Sequence, residues 1–133
     1  MSLIQKVKQF FSTQAETADS HMDEALKSRY YKTNQKNALK AVQDMLRGMK
    51  EVNVTSVSDE RGEISATIMG PKKAFLIVTI ITIRPFETAI DFTVSTETVL
   101  PTDFGFSKRI IKDMYERLDK QLVFVGNGLG EKL

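Results

Sequence analysis

The chain has 133 residues and a mass of 15.0 kDa, enough for one domain with its own hydrophobic core. Hydrophobic residues make up 41% of it and charged residues 27%, a balance that excludes a disordered or low-complexity protein. The net charge of +2 is well below the dense positive charge of dedicated nucleic-acid binders. The absence of cysteine excludes disulfide scaffolds and thiol nucleophiles, and the one histidine, His21, leaves no histidine cluster for a metal.

Residues 1–23 are predicted to form a short amphipathic helix followed by a polar linker. The helix is indicated by apolar residues at helical spacing: Leu3, Ile4, Val7, Phe10 and Phe11. A helix this short is marginal alone in water, so we expect it to dock on the domain, on a second copy, or on a membrane surface or another partner. Charged and polar residues interrupt any secretion-signal core, so a cytoplasmic protein is expected.

Residues 24–125 are predicted to form a single α+β domain. A first strand is expected within residues 26–33, after which Thr33 or Asn34 caps a helix. The apolar stripe of that helix consists of Ala38, Ala41, Val42, Met45, Leu46 and Met49. Four strand-like segments follow, near residues 52–57, 64–68, 74–83 and 89–94, and short turns between them favour an antiparallel sheet.

A second long helix is predicted after Pro101, with Thr102 or Asp103 as its cap. Residues 126–133 contain three glycines and are predicted to be a flexible tail, because a phosphate-binding glycine loop would have to open a helix. The element order β-α-β-β-β-β-α predicts a two-layer α+β sandwich, an antiparallel sheet with two helices on one face, plus the short N-terminal helix. No apolar run approaches the roughly 20 residues of a membrane-spanning helix.

The segment Thr102-Asp-Phe-Gly-Phe-Ser-Lys-Arg-Ile-Ile111 resembles a family known as domain of unknown function 1499. Its Ser-Asp-Leu-Gly and Asn-Arg motifs would align with Thr102, Asp103, Phe104, Gly105, Ser107 and Lys108. The Ser-Arg-x-Gly that usually precedes them is absent, and the resemblance spans roughly residues 26–122. It implies a fold rather than an activity, since the family has no established chemistry. The element order is also similar to TATA-box-binding-protein-like and helix-grip domains, from which function does not follow.

No constellation of side chains indicates catalysis, so we expect a non-enzymatic protein without cofactor or metal. Glu87 and Asp91 are predicted to share one face of the last strand, and we interpret them as its solvent side. A small basic cluster near the start of the last helix is either solvated or contacts an anion or acidic partner: Lys108, Arg109 and Lys112.

The strand at residues 74–83 is apolar on both faces. One face carries Phe75, Ile77, Ile81 and Ile83, and the other carries Leu76, Val78 and Ile80. One set must pack on the helices, and the other must also be covered, because a large exposed apolar patch is unusual on a monomer. The N-terminal helix, a second copy, a lipid-like ligand or another protein could cover it. Register decides which set faces outward, and the sequence leaves that open.

We take the first set, Phe75, Ile77, Ile81 and Ile83, as the interaction face. The sequence then predicts a domain that forms a homodimer or binds another protein. The alternative is a carrier of an apolar small molecule between sheet and helices. A nucleic-acid-binding module that uses the sheet face and the basic cluster is a third hypothesis, which the low net charge disfavours.

Overall fold

The fold comes from a computed structural model, which describes residues 14–17, 26–70, 73–96 and 106–127. It is α+β, with an antiparallel sheet and two helices, and this confirms the predicted fold class. In chain order the elements are β1 (Gln14–Glu16), β2 (Arg29–Tyr31), α1 (Gln35–Arg47), β3 (Val52–Ser58), β4 (Glu63–Met69), β5 (Lys73–Arg84), β6 (Glu87–Thr96), α2 (Phe106–Asp119) and β7 (Phe124–Asn127).

Helix α1 begins and ends where its capping residues predict. The Asn34 side chain accepts a hydrogen bond of 2.8 Å from the backbone N–H of Asn37, which satisfies a donor that the first turn leaves unpaired. Gly48 follows the last turn, and its N–H donates to the Asp44 and Met45 carbonyls. The residues that α1 buries against the sheet are Ala38, Leu39, Val42, Met45 and Leu46.

The sheet has the strand order β3-β4-β5-β6-β2-β7, with β5 and β6 at its centre. Both helices pack on one face and share a single core with it. The inward side chains of β5, namely Leu76, Val78 and Ile80, are almost completely buried in that core. Helix α2 completes it with Ile111, Met114 and Leu118. In the part of the chain that the structure describes, no helix is long and apolar enough to cross a membrane.

Two short strands lie where the sequence predicted irregular segments. β1 falls inside the predicted N-terminal linker and pairs with β6, with Gln14 opposite Ser95. β7 occupies the end of the predicted domain and the start of the predicted glycine tail, and it pairs with β2. Neither has the alternating pattern of an amphipathic strand, so tertiary pairing rather than local propensity makes them extended. The linker and tail predictions are therefore wrong at these residues.

β1 and β2 occupy the same position in the sheet, one after the other along the same edge of β6. Thr17 closes the end of β1, since its N–H donates to the Phe92 carbonyl at 2.9 Å. Its hydroxyl also accepts from the Phe92 N–H at 2.9 Å. The fifth position of the sheet is thus assembled from two pieces of chain, and the side chain of Asp91 lies beside the junction.

Candidate functional site

The outer face of the sheet, opposite the helices, carries a row of exposed apolar side chains on β5. Burial alternates along this strand as far as Ile81, and Phe75, Ile77, Ile81 and Ile83 are 40–52% exposed. From Ile81 to Arg84 every residue is exposed, and the pairing with β6 shifts register between Thr82 and Arg84. We call these four residues the outer ridge. They are the set that the sequence analysis took as the interaction face, and the structure places them outward.

Small hydroxyl side chains flank the outer ridge on both neighbouring strands. Ile77 lies between Ser65 of β4 and Thr93 of β6, and Phe75 lies in the same way between Thr67 and Ser95. The flanking side chains are half-buried and short. The ridge therefore stands above its surroundings, a shape that a complementary apolar surface can pack around.

The far end of the outer ridge lies where β5 is an edge strand. β4 begins at Glu63, opposite Thr79, so Ile81 and Ile83 extend beyond it on the hairpin that β5 forms with β6, while β6 stays paired with β2 beside Ile81. The turn of this hairpin presents Phe86 with 66% of its surface exposed. Phe86 has a positive φ of 59°, a backbone conformation that disfavours a bulky side chain, and such strain is a reason to look for a function.

The edges of the sheet are less suited to pairing with another chain than its outer face is. β3, at one edge, is interrupted by a register shift between Val54 and Ser56. β7, at the other edge, is four residues long, and its pairing with β2 shifts between Tyr30 and Tyr31. Bulges and short edge strands discourage edge-to-edge association. At β3 and β7, therefore, the sheet offers a partner a poorer surface than the apolar residues on its outer face do.

The two carboxylates predicted to share a face do so, and both are held by nearby groups. Glu87 forms an ion pair with Arg84, with 2.9 Å between its Oε2 and the Nε of the arginine. Asp91 accepts hydrogen bonds from the hydroxyls of Thr17 at 2.6 Å and Ser28 at 2.5 Å. Asp91 thereby ties the end of β1 to the residue before β2, a structural role. Among the described residues no group of three or more His, Asp or Glu side chains could hold a metal ion.

A second polar cluster, which the sequence did not reveal, joins α2 to β2 and β7. Arg29 donates to both carboxylate oxygens of Asp119, at 3.2 and 2.7 Å, and its guanidinium lies 3.7 Å from the centre of the Phe124 ring. The Tyr31 hydroxyl donates to the same carboxylate at 2.7 Å. Burial, and then this bond to a carboxylate, raises the pKa of Tyr31 far above its ordinary value, so the hydroxyl stays protonated.

Next to this cluster is a shallow depression of about 190 Å³, lined by Arg29, Lys112, Tyr115, Glu116 and Asp119. Its charges are mixed, and the Arg29 guanidinium is already paired with Asp119. Tyr115 turns away from the surface, and its hydroxyl donates to the Ile90 carbonyl at 2.7 Å. Burial raises the pKa of Tyr115 as well. We interpret the whole cluster as a structural one, which holds α2 against the sheet.

The basic cluster is on the exposed side of α2. Lys108, Arg109 and Lys112 all face solvent there, on the helical layer of the sandwich. The outer ridge lies on the opposite side of the sheet, so the structure does not join these cations to the sheet face in one surface. The N-terminal residues Leu3, Ile4, Val7, Phe10 and Phe11, His21, and the proposed helix caps Thr102 and Asp103 lie outside the described residues.

Comparison of the chain with known protein families, with curated proteins and with solved structures gives no match. The site must therefore be interpreted from its own residues.

Proposed function

We propose that this chain is a cytoplasmic, non-enzymatic binding domain that self-associates through the outer ridge. The observation that carries the proposal is the exposure of Phe75, Ile77, Ile81 and Ile83 on a sheet face that neither helix covers. The neighbouring strands show that the fold accepts Ser and Thr at such outward positions. The fold therefore does not require apolar side chains at the outward positions of β5.

The size of the surface supports this proposal. If each large side chain offers about 180 Å², the four ridge residues expose roughly 300 Å² of apolar area, a size at which patches are often functional. A standard interface buries about 800 Å² on each partner. The ridge supplies the apolar centre of such an interface, and the hydroxyl side chains beside it supply a polar rim.

The test is the mass of the chain in solution, with and without a charge in the middle of the ridge. The wild type is expected at twice 15.0 kDa by light scattering, and Ile77→Lys at 15.0 kDa, because a lysine there would lose its hydration inside the interface. Val123→Lys is the matched control, since Val123 is 62% exposed but lies beside β7, away from the ridge. This control should stay dimeric.

Two results would overturn the proposal. One is a wild type with the mass of a single chain at concentrations up to the hundred-micromolar range. The other is an Ile77→Lys variant that keeps the wild-type mass. Thermal unfolding of each variant shows that the fold is retained, which is expected because Ile77 is outside the core.

A further inference from the structure

Residues 1–13, which we call the N-terminal segment, are attached to the sheet beside one end of the outer ridge. Gln14, the first residue of β1, pairs with Ser95 of β6, and Ser95 pairs on its other side with Phe75 of β5. These three residues form one row across the sheet, so the Cα atoms of Gln14 and Phe75 lie about 10 Å apart, two strand spacings. The N-terminal segment is therefore tethered within reach of the ridge.

The N-terminal segment has the composition of a chain that must bury one side. Its apolar residues recur at helical spacing, and they are Leu3, Ile4, Val7, Phe10 and Phe11. A helix of this length is marginal alone in water, so it needs an apolar surface on which to dock.

The outer ridge is the surface that the sheet offers at this place. On the helical side, the inward residues at the same end of β5 and β6 are at most 1% exposed, since Ala74, Leu76 and Val94 are packed in the core. On the outer side, Phe75 and Ile77 are 47% and 42% exposed. Within the described part of the chain, the apolar surface open near Gln14 is thus on the outer face.

We propose that the N-terminal segment folds back and packs on the outer ridge of its own chain. There it competes with the second copy that the proposed function places on the same surface. This inference rests on the proposed self-association and names its regulation. Self-association is then weaker than the ridge alone would give, because a second copy must first displace the segment.

The direction and length of the chain allow this packing. β1 and β5 run in the same direction, because both pair antiparallel with β6. A segment that turns back before Gln14 therefore runs against β5, with Phe10 near Phe75 and Leu3 toward Ile81. As a helix, residues 3–11 span about 12 Å, and the ridge from Phe75 to Ile81 spans about 20 Å. Residues 12 and 13 remain for the turn, and connections of about 2–6 residues are common between packed elements.

The charges of the N-terminal segment and of the outer face are complementary. Lys6 and Lys8 are the charged side chains of the segment, and on a helix they lie on opposite sides of its apolar stripe. On the outer face, Thr79 in the line of the ridge is flanked by Glu63 of β4 and Asp91 of β6. A helix that lies along the ridge therefore directs one lysine toward each carboxylate.

Thiol labelling tests this packing separately from self-association. The chain has no native cysteine, so Ile77→Cys places a single thiol in the ridge of the full chain. Its rate of reaction with a maleimide is measured at falling protein concentration until the rate no longer changes, so that any dimer has dissociated. Adding Val7→Ser/Phe10→Ser is expected to raise this rate at least about fivefold, because the segment loses two large apolar contacts.

Gln5→Ser/Gln9→Ser is the matched control for this labelling. It also replaces two residues of the N-terminal segment by serine, but Gln5 and Gln9 lie opposite the apolar stripe on a helix. The labelling rate of Ile77→Cys should therefore be the same with and without the control substitutions.

The dissociation constant of the dimer tests the competition, in chains that keep Ile77. Light scattering over a dilution series is expected to give Val7→Ser/Phe10→Ser a dissociation constant at least about tenfold below that of the wild type, because more of its ridges are open to a second copy. Gln5→Ser/Gln9→Ser should have the dissociation constant of the wild type.

The outcomes separate this inference from the proposed function. Equal labelling rates in all three backgrounds would overturn the packing of the segment, while a dimeric wild type would leave the self-association standing. A raised rate in Val7→Ser/Phe10→Ser, with the mass of one chain at every concentration, would support the packing and remove the self-association. A raised rate with an unchanged dissociation constant would overturn the competition. Protection of the wild-type segment's ridge thiol that disappears on dilution would mean that the segment covers a second copy, and would overturn its packing within one chain.

Discussion

Gly62, at the turn before β4, is the residue whose replacement should affect folding most for the smallest chemical change. It has a φ of 67°, in the left-handed region. Its N–H donates to the Ser58 carbonyl at 2.9 Å, and its carbonyl accepts from the Ile80 N–H at 2.7 Å. A Cβ here would collide with the Ile80 carbonyl oxygen, which belongs to the backbone of β5, and with the Gln35 side chain.

The expected cost of Gly62→Ala combines two terms. The left-handed conformation costs an alanine about 1–2 kcal/mol. Crowding against a backbone that cannot move freely adds about 1–3 kcal/mol. The free energy of unfolding should therefore fall by about 2–5 kcal/mol, a large part of the stability of a small domain. At about 4 °C for each kcal/mol, the melting temperature drops by roughly 8–20 °C.

Circular dichroism during heating measures this effect, and Gly48→Ala is its matched control. Gly48 has a right-handed backbone, with φ of −78°, and a Cβ there would meet only ordinary contacts of 3.5 and 3.6 Å. The control should unfold within a few degrees of the wild type. All chains must be compared at one concentration, because a dimer unfolds at a concentration-dependent temperature. Melting temperatures for Gly62→Ala and Gly48→Ala within about 2 °C of each other would refute the reasoning.

Two further predictions concern the polar clusters. Burial raises the pKa of Tyr31 and of Tyr115 above the unfolded value of 10.0, so both contribute stability below pH 10 that is lost as the pH rises further. Each can lower the free energy of unfolding by up to about 1.4 kcal/mol per pH unit. Urea unfolding between pH 9 and 11.5 measures this decline in stability, which should be shallower in Tyr31→Phe than in the wild type. An unchanged slope of stability against pH would contradict this prediction. Asp91→Ala removes the acceptor shared by Thr17 and Ser28, so hydrogen exchange of the Thr17 amide should quicken relative to the amides of β5, and equal protection in both chains would count against the proposed tie.

Local chemistry accounts for the parts of the fold that the sequence predicted. The Asn34 cap and the apolar stripe of α1 depend on residues three or four apart, so their signal lies within one segment. The outward position of the β5 ridge depends on register, which is a property of β4, β5 and β6 together. The sequence could therefore name two alternating sets on β5 but could not choose between them.

The missed features all depend on residues far apart in the chain. Arg29 and Asp119 are separated by 90 positions, and no pattern in either segment indicates that they pair. The segment Gln14–Glu16 is polar and becomes a strand only because β6 offers its edge. The Asp91 tie likewise needs Thr17 and Ser28, which come from two separate segments. These contacts become visible only when the sheet is assembled.

The outer ridge carries large apolar residues that the folding of the domain does not require. Strand propensity alone does not explain it, because threonine also favours strands and occupies outward positions of β4 and β6. Burial does not explain it either, because the inward residues of β5 already fill the core. Four large apolar side chains in solvent make the free monomer prone to association. That property is a disadvantage for a chain that works alone, and it is what a chain that works as a dimer requires.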